Sequence, residues 1–555
     1  MRFELLERRI KKTEGSPLRD VWALFRSSYG FNPIVYVMKF PSLAVFSLSC
    51  SLIFWVGCQT PGVEKAGEAE QEKGVRFVVS FPAEIRAEAL SGRVLLFFSE
   101  NEKGEPRKDL NWFDPSPVFA VDVENLEPGE VVEFTEDDLA DPDALAFPVG
   151  LGRIEPGIYQ VQALINHDQT RRDFNDGPGN LYSRPSKVEI SRGLKARFDL
   201  VANQVVLAEE GTENEWVKLV KVRSELLSDF HGRDVFLRAA VLLPYGYEEE
   251  TERQYPAYYE VPGFGGRHLG LLNRPSKGGH GWKAWENGTN PYRGFEIVLD
   301  PDVPLGHSVF ADSANNGPVG EALTTELIPV IEERFRIIAE PSARFVGGHS
   351  SGGWSSLWLQ VTYPNFFGGC WSTAPDPVDF RAFQTMNLYE DTNGHWTPAG
   401  QPRPVGRSRH EVKLLFPKFN HYEYVLGWGG QLDSFDAVFS PRGEDGYPLR
   451  VMDKLTGKID HEVVDYWKRY DIRLQLESNW ATLGPRLQGK LHVIGGGWDT
   501  FYLNPALEML QDFLATKAHG GYVEILPGSH GSFRTKEFGQ RIYREMADQF
   551  AKREQ

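Results

Sequence analysis

A serine flanked by glycines is the feature of this chain with the clearest chemistry. Ser350 lies at the centre of the G-H-S-S-G run of residues 348–352, between an apolar stretch and a predicted helix. A sharp strand-to-helix turn strains the backbone of such a serine, and the glycines let the two elements approach each other. The amino end of the helix directs N–H dipoles toward the serine, where they stabilise negative charge. The pattern therefore predicts that Ser350 is a nucleophile in acyl transfer.

A serine nucleophile needs a base, and the base is itself oriented by an acid. With this type of turn the three residues follow in the order Ser, Asp or Glu, His. Asp499 follows the apolar stretch 491–494, and His530 follows the apolar stretch 523–526. Both positions lie just beyond predicted strand ends, where open α/β sheets bind ligands. We therefore predict Asp499 as the acid and His530 as the base, with Asp376 as the alternative acid.

Acyl transfer also requires N–H groups that face the developing oxyanion. The backbone N–H of Ser351, the residue after the nucleophile, is the first expected donor. The second is expected from the glycine-rich run 261–266, in which Phe264 is the preferred donor and Gly265 the alternative. The predicted oxyanion hole therefore consists of the amides of Ser351 and Phe264.

Strands that alternate with helices carry these residues from residue 213 onward, which predicts a mostly parallel sheet with helices on both faces. Helices are expected over 317–335 and 505–514. Residues 377–490 interrupt the alternation, and we interpret them as an inserted cap. The aromatic residues of this insertion fit either its own core or an apolar wall over the active site. The predicted strands are 235–243, 257–261, 295–299, 344–347, 367–371, 491–494 and 522–526.

The chain before residue 209 has a different pattern. Residues 75–208 contain short β runs separated by Pro, Gly, Asn and Asp, which predicts an all-β sandwich domain that precedes the α/β domain of residues 213–555. Residues 59–74 are rich in Glu, Lys and Gly and are expected to be a tether. Residues 1–58 are interpreted as an N-terminal extension and a signal.

The signal resembles that of a bacterial lipoprotein. Residues 40–55 contain no charged side chain, and Gly57 places a small residue directly before Cys58. This layout predicts that Cys58 is lipidated and holds the protein on a membrane outside the cytoplasm. Residues 1–37 fit no secretory n-region, so translation is expected to start at Met38. An uncleaved membrane anchor is the alternative.

Composition excludes several other classes of function. The formal net charge is −17 and no basic stripe is present, so no nucleic-acid partner is expected. Three cysteines imply no disulfide framework. The sequence contains no zinc pattern, P-loop or dinucleotide fingerprint, so neither a cofactor nor a metal is expected. The Asp- and Asn-rich loop 168–180 lacks calcium-binding spacing and is interpreted as a solvated loop.

From about residue 213 the chain resembles the putative-esterase (esterase D-like) family of α/β-hydrolases, which includes feruloyl and enterochelin esterases. The matching motifs are the V-L-L-P-Y-G-Y run 241–247, the glycine turn 263–266, the E-L-I-P run 326–329, the run 348–353, Asp499 and His530. The resemblance implies nucleophile, acid and base roles for Ser350, Asp499 and His530. The sequence departs from the family at Pro262, where a His is usual, and in the long insertion.

These patterns predict a serine hydrolase that cleaves carboxylic esters through an acyl-enzyme. The expected substrate is a small-molecule or polysaccharide-linked ester outside the cytoplasm. A peptidase or amidase with the same fold is one alternative. An inactive surface lipoprotein that binds glycans is the other.

Overall fold

Residues 75–205 contain two β-sheets. The computed structural model describes residues 74–139, 144–277 and 280–552. The sheets have the strand orders β4-β1-β9 and β10-β7-β6-β2-β3-β5, with β8 also paired to β6. One core joins them, in which the ring of Phe77 in β1 packs edge-to-face on Phe98 in β2 at 5.3 Å. The strands are β1 (Val75–Ser80), β2 (Leu90–Ser99), β3 (Val118–Leu126), β4 (Val132–Thr135), β5 (Ala146–Phe147), β6 (Gly157–Asn166), β7 (Leu181–Tyr182), β8 (Ser186–Ile190), β9 (Ala196–Val201) and β10 (Gln204–Val205).

An eight-stranded sheet organises the chain from residue 217 onward. The strand order is β11-β12-β14-β13-β17-β18-β21-β22, and the strands from β14 to β22 in this order run parallel to one another. Strands β11 and β12 are antiparallel to their neighbours. The strands of this part are β11 (Val217–Arg223), β12 (Phe236–Leu242), β13 (Ala257–Val261), β14 (Phe295–Leu299), β15 (Asp302–Val303), β16 (Gly306–His307), β17 (Arg344–His349), β18 (Gly369–Thr373), β19 (Pro404–Ser408), β20 (Glu411–Leu415), β21 (Leu491–Gly496) and β22 (Tyr522–Leu526).

Helices cover both faces of this sheet, as the expected α/β class requires. Because side chains alternate along a strand, Val346 of β17 lies in the core on one face and Phe345 in the core on the other. Burial on both faces explains why β14 and β18 are buried along their whole length. The helices are α1 (Glu225–His231), α2 (Arg274–Lys277), α3 (His280–Glu286), α4 (Val319–Ala322), α5 (Ile328–Arg334), α6 (Ser351–Thr362), α7 (Phe416–Leu426), α8 (Gln431–Phe439), α9 (His461–Trp467), α10 (Ile472–Leu483), α11 (Asn504–Ala515) and α12 (Lys536–Ala551).

The elements differ from the sequence prediction at several places, and β17 and β21 each end two residues later than predicted, at His349 and Gly496. The strand predicted at 367–371 is Gly369–Thr373. The polar residues Ser372 and Thr373 can lie in this buried strand because their hydroxyls donate to backbone carbonyls. Strand β11 was not predicted. The helix predicted over 317–335 consists of α4 and α5 joined by a π-helical turn at Leu323–Leu327.

The insertion 377–490 contains the β19–β20 hairpin and helices α7 to α10. Of the aromatic side chains in it, Phe416, Phe419 and Tyr422 are buried, whereas Trp396 is 43% exposed. Helix α7 also packs against the first part of the chain, where the ring of Tyr422 lies 5.0 Å from that of Phe147. The insertion therefore shares its core with two parts of the protein.

The expectations for residues 1–73, including the start at Met38 and lipidation of Cys58, lie outside the described residues. Within the described ranges, no helix has the length and apolar character needed to cross a membrane.

Candidate active site

Ser350 occupies the turn between β17 and α6. Its backbone has φ 61° and ψ −123°, a left-handed conformation that is strained for a residue with a side chain. A Cβ atom at Gly352 would lie 1.9 Å from the carbonyl oxygen of Val261, so only glycine lets α6 approach β13 here. The backbone N–H of Ser350 donates to the Thr373 carbonyl at 3.0 Å, which fixes the turn against β18.

Asp499 and His530 meet at the carboxyl ends of β21 and β22. The Nδ1 atom of His530 lies 2.8 Å from Oδ2 of Asp499. Asp499 is 1% exposed, and its second oxygen, Oδ1, accepts a hydrogen bond from the backbone N–H of Phe501 at 2.8 Å. Because the carboxylate is an acceptor only, it selects the His530 tautomer with a proton on Nδ1 and leaves Nε2 as an acceptor.

The ring of His530 lies beside the serine turn. Its centroid is 4.6 Å from that of His349, the residue before Ser350, and 5.1 Å from that of Phe501. Burial and, to a smaller extent, the positive charge of Arg534 lower the pKa of His349 to about 2, so this imidazole is neutral. The single hydroxyl proton of Thr373 is donated to the Gly348 carbonyl. The hydroxyl oxygen therefore accepts from Nδ1 of His349, which lies 3.1 Å away. A neutral, oriented imidazole therefore borders His530.

The glycine-rich loop after β13 packs against the serine. A Cβ atom at Gly263 would lie 3.3 Å from Cβ of Ser350 and 2.9 Å from the His349 carbonyl oxygen, so the loop can come this close only without a side chain there. Phe264 is the next residue of this loop. Ser351 is the first residue of α6, and the first N–H groups of a helix have no intrahelical acceptor. Both predicted oxyanion donors thus belong to segments that adjoin Ser350.

His307 supports this loop, although the sequence did not indicate it. Its Nε2 atom lies 2.9 Å from the Pro262 carbonyl oxygen, and its Nδ1 atom accepts from the backbone N–H of Val309 at 3.0 Å. The second contact assigns the proton to Nε2, which donates to Pro262. Burial lowers the pKa of His307 to about 4, so the ring is neutral. No motif marks His307, because it lies in the short β15–β16 hairpin far from Pro262 in sequence.

Asp376, the alternative acid, has different partners. Its Oδ2 atom accepts from the hydroxyl of Ser351 at 2.6 Å and from Nε2 of Gln431 at 3.3 Å. Burial, partly offset by the Ser351 hydrogen bond, raises the pKa of this carboxyl to about 6. Asp499, and not Asp376, accepts the hydrogen bond from Nδ1 of His530.

Within the part of the chain that the structure describes, no cluster of three or more His, Cys, Asp or Glu side chains is arranged to bind a metal ion. The site is built from a serine turn, an Asp–His pair and two backbone segments. This arrangement suits nucleophilic attack on a carbonyl carbon.

Comparison with known proteins agrees with this chemistry. Residues 311–436, which include the serine turn, match the family model described as "Putative esterase". Over this range the chain is similar to the putative-esterase family, as expected from the sequence. No curated protein matches the chain.

Several solved structures are similar to this chain at low identity. A ferulic acid esterase is 12% identical, with 61% of this chain and 99% of that chain covered and a TM-score of 0.38. An S-formylglutathione hydrolase from Agrobacterium tumefaciens is 13% identical, with 60% and 95% covered and a TM-score of 0.36. A CE1 ferulic acid esterase from Anaeromyces mucronatus is 14% identical, with 62% and 93% covered and a TM-score of 0.32.

Proposed function

We propose that the protein hydrolyses carboxylic esters through an acyl-enzyme on Ser350, with His530 as the base and Asp499 as the acid. The observation that carries the proposal is the 2.8 Å contact between Asp499 and His530, whose ring borders the strained serine turn. A buried carboxylate that fixes the tautomer of an imidazole beside a strained serine is the arrangement that activates a hydroxyl.

The reaction takes two steps. His530 Nε2 accepts the hydroxyl proton of Ser350 as the oxygen attacks the ester carbonyl carbon, and the backbone N–H groups of Ser351 and Phe264 stabilise the oxyanion. The tetrahedral intermediate then expels the alcohol, which takes the proton from His530. In the second step His530 deprotonates water, which attacks the acyl-enzyme and releases the carboxylic acid and Ser350. Asp499 stabilises the imidazolium in both steps.

We place the substrate outside the cytoplasm, as a small-molecule or polysaccharide-linked ester, on the basis of the lipoprotein-like signal that ends at Cys58. We also propose that residues 75–208 form a β-sandwich domain and that residues 213–555 form the catalytic domain with the insertion 377–490. The common core of the two N-terminal sheets and the separate eight-stranded sheet support this division.

Labelling of the folded protein with a fluorophosphonate probe tests the nucleophile. The wild type is expected to be labelled at Ser350 by peptide mapping, Ser350→Ala to lose all labelling, and the control Ser91→Ala in β2 to retain it. Rates on p-nitrophenyl acetate and on peptide p-nitroanilides then test the bond that is cleaved. Faster cleavage of the peptides would favour an amidase, and a folded wild type that is not labelled would overturn the proposal.

A further inference from the structure

The side chain of the oxyanion-loop residue Phe264 lies between two residues of the β region, defined here as residues 75–205. The centroid of its ring is 5.6 Å from that of Trp112, and the guanidinium carbon of Arg172 lies over the ring at 4.6 Å from the centroid. Trp112 and Arg172 are called here the holding pair. Both lie outside the eight-stranded sheet, and both contact Phe264, whose N–H is the proposed second oxyanion donor.

Each member of the holding pair is itself fixed. The Nε atom of Arg172 lies 3.0 Å from Oδ1 of Asp302, and the two side chains are 12% and 4% exposed. The ring of Trp112 packs edge-to-face on Phe419 of α7 at 5.3 Å. The pair therefore couples the β region to the hairpin that begins at Asp302 and to the insertion.

The loop around Phe264 needs such support. Gly263, Gly265 and Gly266 surround Phe264, and Gly265 has φ +81°. Glycine loses more conformational freedom on ordering than any other residue, so a loop of this composition does not fix one backbone conformation by itself. His307 fixes the carbonyl of Pro262, and the Phe264 N–H belongs to the next peptide group along the chain, whose Gly263 carbonyl accepts from the backbone N–H of Gly266 at 2.9 Å. The packing of the Phe264 side chain adds the contacts that hold this short glycine-rich turn against the β region.

We propose that Trp112 and Arg172 of the β region are positioning residues for the oxyanion hole, because they hold Phe264 with its N–H toward the oxyanion. This inference rests on the proposed function. It assigns the β region a role in catalysis that a separate glycan-binding module would not have. An N–H that is misaligned stabilises the oxyanion less, and complete loss of one oxyanion donor lowers kcat by about 10²–10³-fold. Loosening the loop should cost part of this, about 10-fold.

The test compares the full-length wild type with Trp112→Ala, Trp112→Phe, Arg172→Met and Arg172→Lys. We expect Trp112→Ala and Arg172→Met to lower kcat for p-nitrophenyl acetate about 10-fold, with KM changed about 2-fold or less. The phenylalanine and lysine variants, which keep an aromatic ring or a cation, should recover part of the loss. Lys221→Met is the matched control, because Lys221 makes a cation–π contact of the same 4.6 Å with Phe236.

A second readout separates positioning from a role in stability alone. A phenyl trifluoromethyl ketone forms a tetrahedral oxyanion adduct with a serine nucleophile, so its Ki should rise in each variant by the factor by which kcat/KM falls. Melting temperatures are measured in parallel. If Trp112→Ala or Arg172→Met does not fold, Trp112→Phe and Arg172→Lys carry the comparison, with an expected loss of about 3-fold in kcat/KM and the matching rise in Ki.

Lower melting temperatures with unchanged kcat and Ki would overturn the inference. A loss in Lys221→Met equal to that in Arg172→Met would do the same. A wild type that is not labelled by a fluorophosphonate would overturn the proposed function and this inference with it. Labelled, active variants with wild-type kinetics would overturn the inference alone.

Discussion

Replacing Asp499 by asparagine changes the position of one proton on His530. Asp499 accepts at both oxygens, from the Phe501 N–H at Oδ1 and from His530 at Oδ2. In Asp499→Asn the side-chain oxygen must face the Phe501 N–H, since an amide nitrogen there would meet another donor. The amide nitrogen then donates to His530 Nδ1, and the imidazole proton moves to Nε2. The ring can no longer accept the proton of Ser350.

The size of the effect follows from this tautomer change. Trapping the wrong tautomer in a Ser-His-Asp site lowers kcat by about 10⁴-fold, which corresponds to about 5 kcal/mol. We expect Asp499→Asn to reduce kcat for p-nitrophenyl acetate by about 10³–10⁴-fold near neutral pH. Background hydrolysis is measured with Ser350→Ala, and circular dichroism checks that each variant is folded.

The matched variant is Asp376→Asn, which removes the same charge from the other buried carboxylate of the site. Its carboxyl binds the Ser351 hydroxyl rather than the base, so its loss of kcat should stay below about 10-fold. A larger loss in Asp376→Asn than in Asp499→Asn would show that the acid is assigned wrongly.

Three further predictions concern groups around the site and in the insertion. His307→Ala leaves the Pro262 carbonyl without its donor, so steady-state kinetics should show kcat lower by about 10-fold and KM changed less. Asp376→Asn should gain stability over the wild type as pH rises from about 4 to about 6, by up to about 3 kcal/mol in denaturant titrations. Lys454→Met leaves the carboxylates of Glu423 and Asp433 buried without their ammonium partner, so unfolding free energy should fall by about 3–5 kcal/mol.

The sign of the pH effect follows from the raised pKa of Asp376. The folded protein binds the carboxyl proton more tightly than the unfolded chain, so the wild type loses stability as pH rises through the pKa of about 6. A pH-independent difference between the two proteins would contradict this. For Lys454→Met the control is Lys468→Met, because Lys468 is exposed. Equal losses of unfolding free energy in the two variants would contradict the stabilising role of the buried Lys454. Wild-type kcat in His307→Ala would exclude a role of His307 in the loop.

Local sequence pattern predicts which strands precede the candidate residues, although β17 and β21 end two residues later than predicted, at His349 and Gly496. Strands β13, β14 and β22 have the predicted bounds, because each is a short apolar run between turn residues. The strand after Ser350 was predicted two residues early. Its polar residues Ser372 and Thr373 are compatible with burial only because they donate to the carbonyls of Gly353 and Gly348, and such partners are not visible in a local pattern.

The supporting residues could not be predicted for a related reason. The positions of Asp499 and His530 follow from a rule about parallel strands, since neighbouring strands bring their carboxyl ends to one edge of the sheet. No such rule connects Pro262 to His307, or Phe264 to Trp112 and Arg172. These contacts depend on how separate segments pack, and the residue types involved are ordinary ones for a core or a surface.

The catalytic residues lie on strand ends, whereas the residues that support the oxyanion loop come from separate segments, and this affects which parts of the chain determine specificity. The Asp–His pair and the serine turn lie on strand ends, which the sheet fixes in one geometry. The loop that carries Phe264 is rich in glycine and takes its conformation from His307, from the β region and, through Trp112, from α7 of the insertion. Parts of the chain outside the regular α/β alternation therefore also contact the oxyanion loop. Substitutions there should change turnover and substrate preference while Ser350, Asp499 and His530 keep their geometry.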